Sequence, residues 1–399
     1  MKILFLTHHR RFKTFLRSGA MARELVKRGH EVTLICISDQ ARFVRKESLV
    51  DGVRYVETPD LLPAKLRSGW DPWNAFRRWL YLGNKRYDLV HAFETRPASI
   101  YPLLAHLRHN PTPLVIDWID WWGRGGLISE LRPRWYQKLF GGLETYFEEH
   151  FRGLADSTTV ISRALAERAR KLGVKEGTTY WIPDGASTDR FHPINRLRHR
   201  AAYSLAEDHF VLGFSALDVT FDGDLVLEAL KRITLAHPKT VLITTGQYSP
   251  SLQKRASALG VENHFRQLGM LPYDTLPKAL SCVDAFVLPF RNKVSNVGRW
   301  PHKIGDYMSL GRPTVTNPVG ELKLLFEKHR IGLLADETAD DMAAKILELL
   351  HNPQLREELG AAARDVAVKQ FSWELIVDKL EICYRATLKR NSNEENRRN

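Results

Sequence analysis

Only three cysteines occur in 399 residues, Cys36, Cys282 and Cys383, far apart and without a CxxC pair. A zinc ribbon, a redox pair and a disulfide framework are thereby excluded, and a reducing compartment fits. No window comes near the ~20 uninterrupted apolar residues of a membrane-crossing helix. The apolar stretch Met1 to Thr7 runs into charge too early for a signal peptide, so a cytoplasmic protein is expected. Repeats of solenoid period and low-complexity blocks are missing as well. With 25 glycines and 19 prolines, turns are scattered, which excludes a collagen-like or wholly disordered chain.

What is there is a folded chain more than twice the ~150 residues of a typical domain, so two domains are expected. Its net charge of +13 is uneven: 31 Lys and Arg face 21 Asp and Glu up to Asn195, against 28 and 25 beyond it. The basic half predicts an anionic partner: nucleic acid, an anionic membrane surface or a phosphate-bearing substrate.

Apolar runs at Lys2–Leu6 and Val32–Ile37 flank a helical pattern from Gly19 to Arg28 that Gly29 stops, which predicts a βαβ unit. Further runs at Leu89–His91, Leu114–Ile116 and Thr158–Ile161 extend an open α/β sheet. The rhythm restarts at Val211–Phe214, a helix near Asp224 to His237, Val241–Thr244, Phe286–Pro289 and Thr314–Thr316, after a basic linker at His192 to Arg200. Helices follow from Ala339, and Asn391 to Asn399 reads as a disordered polar tail.

In open α/β sheets ligands bind beyond the carboxyl ends of strands. One such segment runs from Pro289 to Pro313. Pro301 suits the first position of a helix that Gly311 ends, which aims its amino end, with free N–H groups at Gly298 and Arg299, at a diphosphate. Arg291, Lys293, Arg299 and Lys303 add cations, and Asp306, one turn after Lys303, suits a ribose diol. A solvated basic loop with an ordinary helix cap is the alternative reading.

The run Lys303-Ile304-Gly305-Asp306-Tyr307-Met308-Ser309-Leu310-Gly311-Arg312-Pro313 resembles the donor-site helix of the retaining GT-B glycosyltransferases of family 4. Gly29–Thr33, Tyr87–Ala92, Val160–Ser162, Ile182–Gly185 with Asp189 and Phe191, and Phe371–Trp373 agree in order, from Met1 to about Thr387. The resemblance implies two Rossmann-like parallel-sheet α/β domains facing each other across a cleft. Residues 1–195 would bind the acceptor, 196–372 the nucleotide sugar, and 373–390 would form a terminal helix returning to the first domain. It further implies metal-independent sugar transfer with retention from a UDP- or GDP-sugar, with no other cofactor. The implied donor set is Asn296, Gly298, Arg299, Lys303, Asp306, Arg291, Gly246, Leu271 and Glu321. Arg299 and Lys303 would stabilise the leaving diphosphate.

Two departures from the family stand out. Its first acid, eight positions before Asp306, is Gly298 here, and the usual Lys or Arg after the first strand of the second domain is absent from Ser215–Gly223. Arg299, Lys303 and Arg291 are therefore expected to take over diphosphate neutralisation, leaving Asp218 or Asp222 for a sugar hydroxyl.

In the first half, Leu114–Ile116 leads into Asp117-Trp118-Ile119-Asp120-Trp121-Trp122-Gly123-Arg124-Gly125-Gly126, where Asp117 or Asp120 would orient an acceptor hydroxyl or take its proton. Trp121 and Arg124 suit a sugar face, and the glycines suit close approach of a ligand. Ser18, Gly19 and His9 complete the expected acceptor set, although Ser18-Gly19 reads equally well as a plain cap. No HxxxH or DxD-like pair stands in a metal-binding setting. The stretch Lys65 to Arg86 mixes Trp and Tyr with Lys and Arg, as an interfacial membrane face does, and suits a glycan or lipid-linked acceptor. Two other readings remain: a catalytically weak nucleotide-sugar-binding scaffold, and a basic nucleic-acid-binding protein, for which no motif is present.

Overall fold

The apolar runs become strands because both faces of a parallel sheet are covered, so nearly every side chain must be apolar. Ile3, Leu4, Phe5 and Leu6 are fully buried, as are Val115 and Ile116. The computed structural model describes every residue except Phe15, Ala64, Lys65, residues 219–221 and Asn399. Lys65 of the expected membrane face, and 219–221 of the expected donor loop, therefore lie outside the described residues. Two units result, Met1–Asp184 with Trp373–Asn399, and Gly185–Ser372.

The first unit runs β1 (Lys2–Arg10), α1 (Arg17–Lys27), β2 (Glu31–Ile37), β3 (Lys46–Val50), β4 (Val53–Thr58), α2 (Pro72–Leu82) and β5 (Leu89–Phe93). It continues with α3 (Pro97–Leu107), β6 (Leu114–Trp118), α4 (Leu127–Leu131), α5 (Arg134–Glu149), β7 (Ser157–Val160), α6 (Arg163–Lys171) and β8 (Thr179–Trp181). The strand order is β3-β4-β2-β1-β5-β6-β7-β8, parallel except for β3, which pairs antiparallel at the edge. One core cluster joins Leu4, Ile35, Val90 and Ile116 of the sheet to Tyr81 and Leu82 of α2, Ile100 and Leu103 of α3, and Phe147 of α5. Those three helices thus cover one face of the sheet.

The second unit runs β9 (Phe210–Asp218), α7 (Gly223–Ala236), β10 (Thr240–Gln247), α8 (Pro250–Leu259), β11 (Phe265–Gln267), α9 (Leu276–Ser281) and β12 (Ala285–Leu288). There follow α10 (Val294–Val297), α11 (Lys303–Ser309), β13 (Thr314–Thr316), α12 (Gly320–His329), β14 (Gly332–Leu334), α13 (Ala339–His351) and α14 (Pro353–Gln370). Its six parallel strands are ordered β11-β10-β9-β12-β13-β14.

The last helix, α15 (Trp373–Arg398), belongs to the first unit. Tyr384 Oη lies 2.7 Å from His91 Nδ1 and Thr387 Oγ1 lies 2.6 Å from Ser157 Oγ, both buried. A disordered tail from Asn391 was expected, but no Gly or Pro interrupts the helix and it continues to Arg398. The expected basic linker also differs. Arg200 is buried and donates to the carbonyls of Cys282, Glu207 and His209 while pairing with Asp284 at 2.7 Å, so this stretch is a staple of the second unit. Among the described residues no helix is long and apolar enough to cross a membrane.

Candidate active site

Two of the expected donor-site residues, Lys303 and Asp306, lie on α11. Asp306 sits in its first turn and is buried, with only 8% of its surface exposed. Burial pushes its carboxyl up to about 6, against a small downward pull from His302. Lys303, half-buried, places its ammonium 4.6 Å from the centre of the Phe214 ring on β9. Tyr307, which the sequence did not single out, clamps α11 to the end of β9. Its hydroxyl accepts from the Ser215 N–H at 2.7 Å and its ring stacks on Phe286 at 3.7 Å. Gly246, with φ 129°, is the next-to-last residue of β10, and its N–H donates to the Gly269 carbonyl at 3.0 Å. Leu271 is half-buried, and Glu321 is buried in the first turn of α12.

Other expectations for this segment are corrected. The amides of Gly298 and Arg299 are not open to a diphosphate, because α10 takes them: Gly298 N–H donates to Val294 O at 2.9 Å and Arg299 N–H to Asn296 O at 3.2 Å. The helix expected from Pro301 is the seven-residue α11, beginning at Lys303. Arg291, expected on the diphosphate, instead bonds Asp224 Oδ2 through its Nη2 at 3.0 Å. Asp222, expected on a sugar hydroxyl, is buried at φ 55° and takes Lys293 Nζ at 2.7 Å. Asn296 donates to the Arg291 carbonyl at 2.8 Å and so braces this same loop.

In the first unit the loop after β6 is pinned from α5. Glu148 Oε1 accepts from Trp118 Nε1 at 3.0 Å and the Trp122 N–H at 2.8 Å, and Glu144 takes the Trp122 indole N–H. A Cβ on Gly126 would run into the Trp121 carbonyl, so this glycine serves the loop's own fold and not the approach of a ligand. Trp121 donates to the Arg124 carbonyl at 3.1 Å. Exposed Arg124 lines a groove of about 700 Å³ with Ile128, Gln137, Thr145 and Tyr146.

Asp117 cannot handle an acceptor proton. It is fully buried, bonds Arg17 Nε at 2.7 Å and Arg17 Nη2 at 2.9 Å, and accepts from Thr159 Oγ1. Burial pushes its carboxyl up, but the Arg17 guanidinium outweighs it and holds the group below the usual carboxylate value. Asp120 is half-buried just beyond the strand end, and its charge offsets part of the lowering that burial, Arg10 and Arg96 impose on the Lys13 ammonium.

Glu94, directly after β5, is the carboxylate the sequence reading missed. Its φ of 69° is left-handed, it pairs with Arg152 Nη2 at 3.1 Å, and it accepts from the Ile119 N–H at 3.1 Å. Burial pushes it up to about 7 despite Arg152, with Glu148 and Asp120 adding to the rise. Its position at the carboxyl end of a parallel strand was the available signal.

His9 was expected to meet an anionic acceptor, but burial, with Lys13 and Arg96 beside it, pushes its imidazole down to about 3. At neutral pH it offers hydrogen bonds and no charge. Ser18 is buried as the second residue of α1 and does not cap it. Gly19 is required by the close approach of the Thr14 carbonyl, to which its N–H donates at 2.7 Å. Among the described residues no group of three or more His, Cys, Asp or Glu is placed to hold a metal ion.

Two sheets of this topology, with an acidic and basic pair on α11, agree with the sequence families that the chain matches. Glycosyltransferase Family 4 matches residues 19–190, and Glycosyl transferases group 1 matches residues 198–366. The chain belongs to the glycosyltransferases of this family 4, group 1 type. It is 27% identical over 228 residues to the GDP-mannose-dependent alpha-(1-6)-phosphatidylinositol monomannoside mannosyltransferase of Mycolicibacterium smegmatis, covering 55% of this chain and 59% of that one. The enzyme of the same name from Mycobacterium tuberculosis is 25% identical over 288 residues, covering 65% and 74%. The sucrose-phosphate synthase of Thermosynechococcus elongatus shares the fold, with a TM-score of 0.76 at 18% identity over 97% of this chain and 98% of the other.

Proposed function

We propose that this chain is a retaining, metal-independent glycosyltransferase that moves a hexose from a nucleotide sugar to a lipid-linked or glycan acceptor in cell-surface glycan or glycolipid assembly. The observation that carries the reading is the pair on α11, a buried Asp306 carboxyl and, one turn before it, the Lys303 ammonium. Asp306 accepts from the ribose diol of the donor. Lys303 and Arg299 neutralise the diphosphate, most strongly as the bond from the anomeric carbon to the diphosphate oxygen breaks and charge collects on that oxygen. In the first unit, Asp120 orients the acceptor hydroxyl and takes its proton, with Trp121 and Arg124 against the acceptor. The names of the mycobacterial relatives favour GDP-mannose as donor and an inositol lipid as acceptor. Work from the cytoplasm at the anionic inner face of the cell membrane follows from a lipid acceptor.

The test is calorimetric titration with GDP, UDP and their sugars, using wild type, Lys303→Ala and Asp306→Ala, followed by transfer to phosphatidylinositol mannoside. One nucleotide bound by wild type and weakened in both folded variants, with turnover of Lys303→Ala down about a hundredfold, is expected. Anomeric configuration in the product, read by NMR, decides retention. Nucleotide binding without transfer to any lipid or glycan would favour the scaffold reading, and tight DNA or RNA binding without nucleotide binding the nucleic-acid one.

A further inference from the structure

Helices α2 and α5 bury polar side chains beside their core residues and turn large apolar side chains outward. On α2, Asn74 and Arg78 are buried along with Tyr81 and Leu82: Asn74 Nδ2 donates to Pro59 O at 2.7 Å and Arg78 Nε to Thr58 Oγ1 at 3.2 Å. Phe76, Trp79 and Leu80 face out, Leu80 with 52% of its surface exposed. On α5 the buried residues include Glu144 and Glu148, while Trp135 is 61% and Leu139 70% exposed, with Leu143 outside beside them. The outward face of a surface helix in a soluble protein is ordinarily polar.

The two helices lie on the same face of the eight-stranded sheet, with α3 and its exposed Tyr101 in that same layer. Their aromatic rows therefore point away from the sheet in one direction. Trp73, Phe76 and Trp79 stand in file along α2 with centroids 5.9 Å apart, and Arg77 lies over Trp73 at 5.2 Å.

Charge on this layer is of one sign. Neither α2 nor α3 contains a carboxylate, and of the three on α5 two are buried and Glu149 is held by Arg168 at 2.6 Å. Arg134, Lys138, Lys85 and Arg86 are exposed around the apolar residues. Apolar side chains flanked by these cations, which outnumber the exposed acids Asp88 and Glu130 nearby, are complementary to a bilayer carrying anionic headgroups.

We propose that the outer face of α2, α3 and α5 docks on the surface of an anionic lipid bilayer. Trp135, Leu139, Phe76, Trp79 and Leu80 enter the headgroup boundary while Arg134 and Lys138 meet lipid phosphates. The choice of a bilayer as occupant deepens the reading of a lipid-linked acceptor, and its test needs neither donor nor acceptor.

The experiment is co-sedimentation of the full chain with vesicles of phosphatidylcholine alone and of phosphatidylcholine mixed with phosphatidylglycerol. Wild type is expected to bind the mixed vesicles and to release in high salt. Arg134→Gln with Lys138→Gln should weaken binding about thirtyfold. Trp135→Ala with Leu139→Ala should weaken it about tenfold. All four side chains are exposed, so melting temperature and nucleotide binding should match wild type. Equal binding by wild type and both variants, no binding by folded wild type, or a dimer or nucleic-acid complex that the same variants abolish would overturn the proposal. Loss of transfer activity with vesicle binding intact would instead count against the glycosyltransferase reading alone.

Discussion

Arg17 grips Asp117 through two nitrogens, Nε to Oδ2 at 2.7 Å and Nη2 to Oδ1 at 2.9 Å, and holds Asp184 with its Nη1 at 3.0 Å. One guanidinium thus ties the start of α1 to β6 and to the chain just after β8. Removing one partner of a buried pair leaves the other uncompensated, at about 3–5 kcal/mol. Asp117→Asn is therefore expected to lower the urea midpoint markedly. An unchanged midpoint with lost turnover would return Asp117 to the chemistry.

The Asp306 carboxyl, held up to about 6 by burial, must ionise to accept two ribose hydroxyls. Nucleotide affinity of wild type should rise from about pH 5 to about pH 7 and then level off, while Asp306→Asn should be weak and flat over the same range. Calorimetry at several pH values decides it. The same slope in both proteins would remove Asp306 from the ribose.

Glu94 gives a stability signature of opposite use. Its folded carboxyl titrates at about 7 and its ordinary value is 4.5, so the native state binds the proton more tightly than the unfolded one. The contribution is fully present below about pH 4.5 and is lost as pH climbs to about 7. Wild type should lose on the order of 3 kcal/mol relative to Glu94→Gln over that window. Denaturation curves of the two proteins, compared at matched pH, measure the difference. Parallel pH profiles would mean that Glu94 is already ionised at low pH.

At Gly19 a methyl group would meet the Thr14 carbonyl. Gly19→Ala should destabilise the first unit by about 1–3 kcal/mol, read in thermal melts, whether or not an acceptor is present.

The central strands of both sheets, β4 excepted, were legible because burial on both faces writes continuous apolar runs, which Val53–Thr58 does not have. The edges were not. β3 is exposed along its whole length, and β8, β11 and β14 have three residues each, too few for a pattern. That Lys303 and Asp306 share one helix could be read from their one-turn spacing. The fate of Arg291 could not, since its partner Asp224 stands 67 positions earlier, nor could that of Asp117, 100 positions from Arg17. The amides of Gly298 and Arg299 were misread because the single turn of α10, without a cap signal, went unseen. The apolar row on α5 has the spacing of a core-facing helix, and only the structure reveals that it faces out.

The bond from His91 to Tyr384 joins a central strand of the first sheet to a helix that the ribosome delivers only after the second unit. The first unit is therefore still lacking a piece of its interior while the whole of the second emerges. During synthesis the later unit can reach its final form before the earlier one closes, with β5 and β7 waiting for α15. A chain cut before Trp373 would leave the His91 imidazole and the Ser157 hydroxyl without these partners, and would expose a seam of the first sheet to solvent, chaperones and proteases.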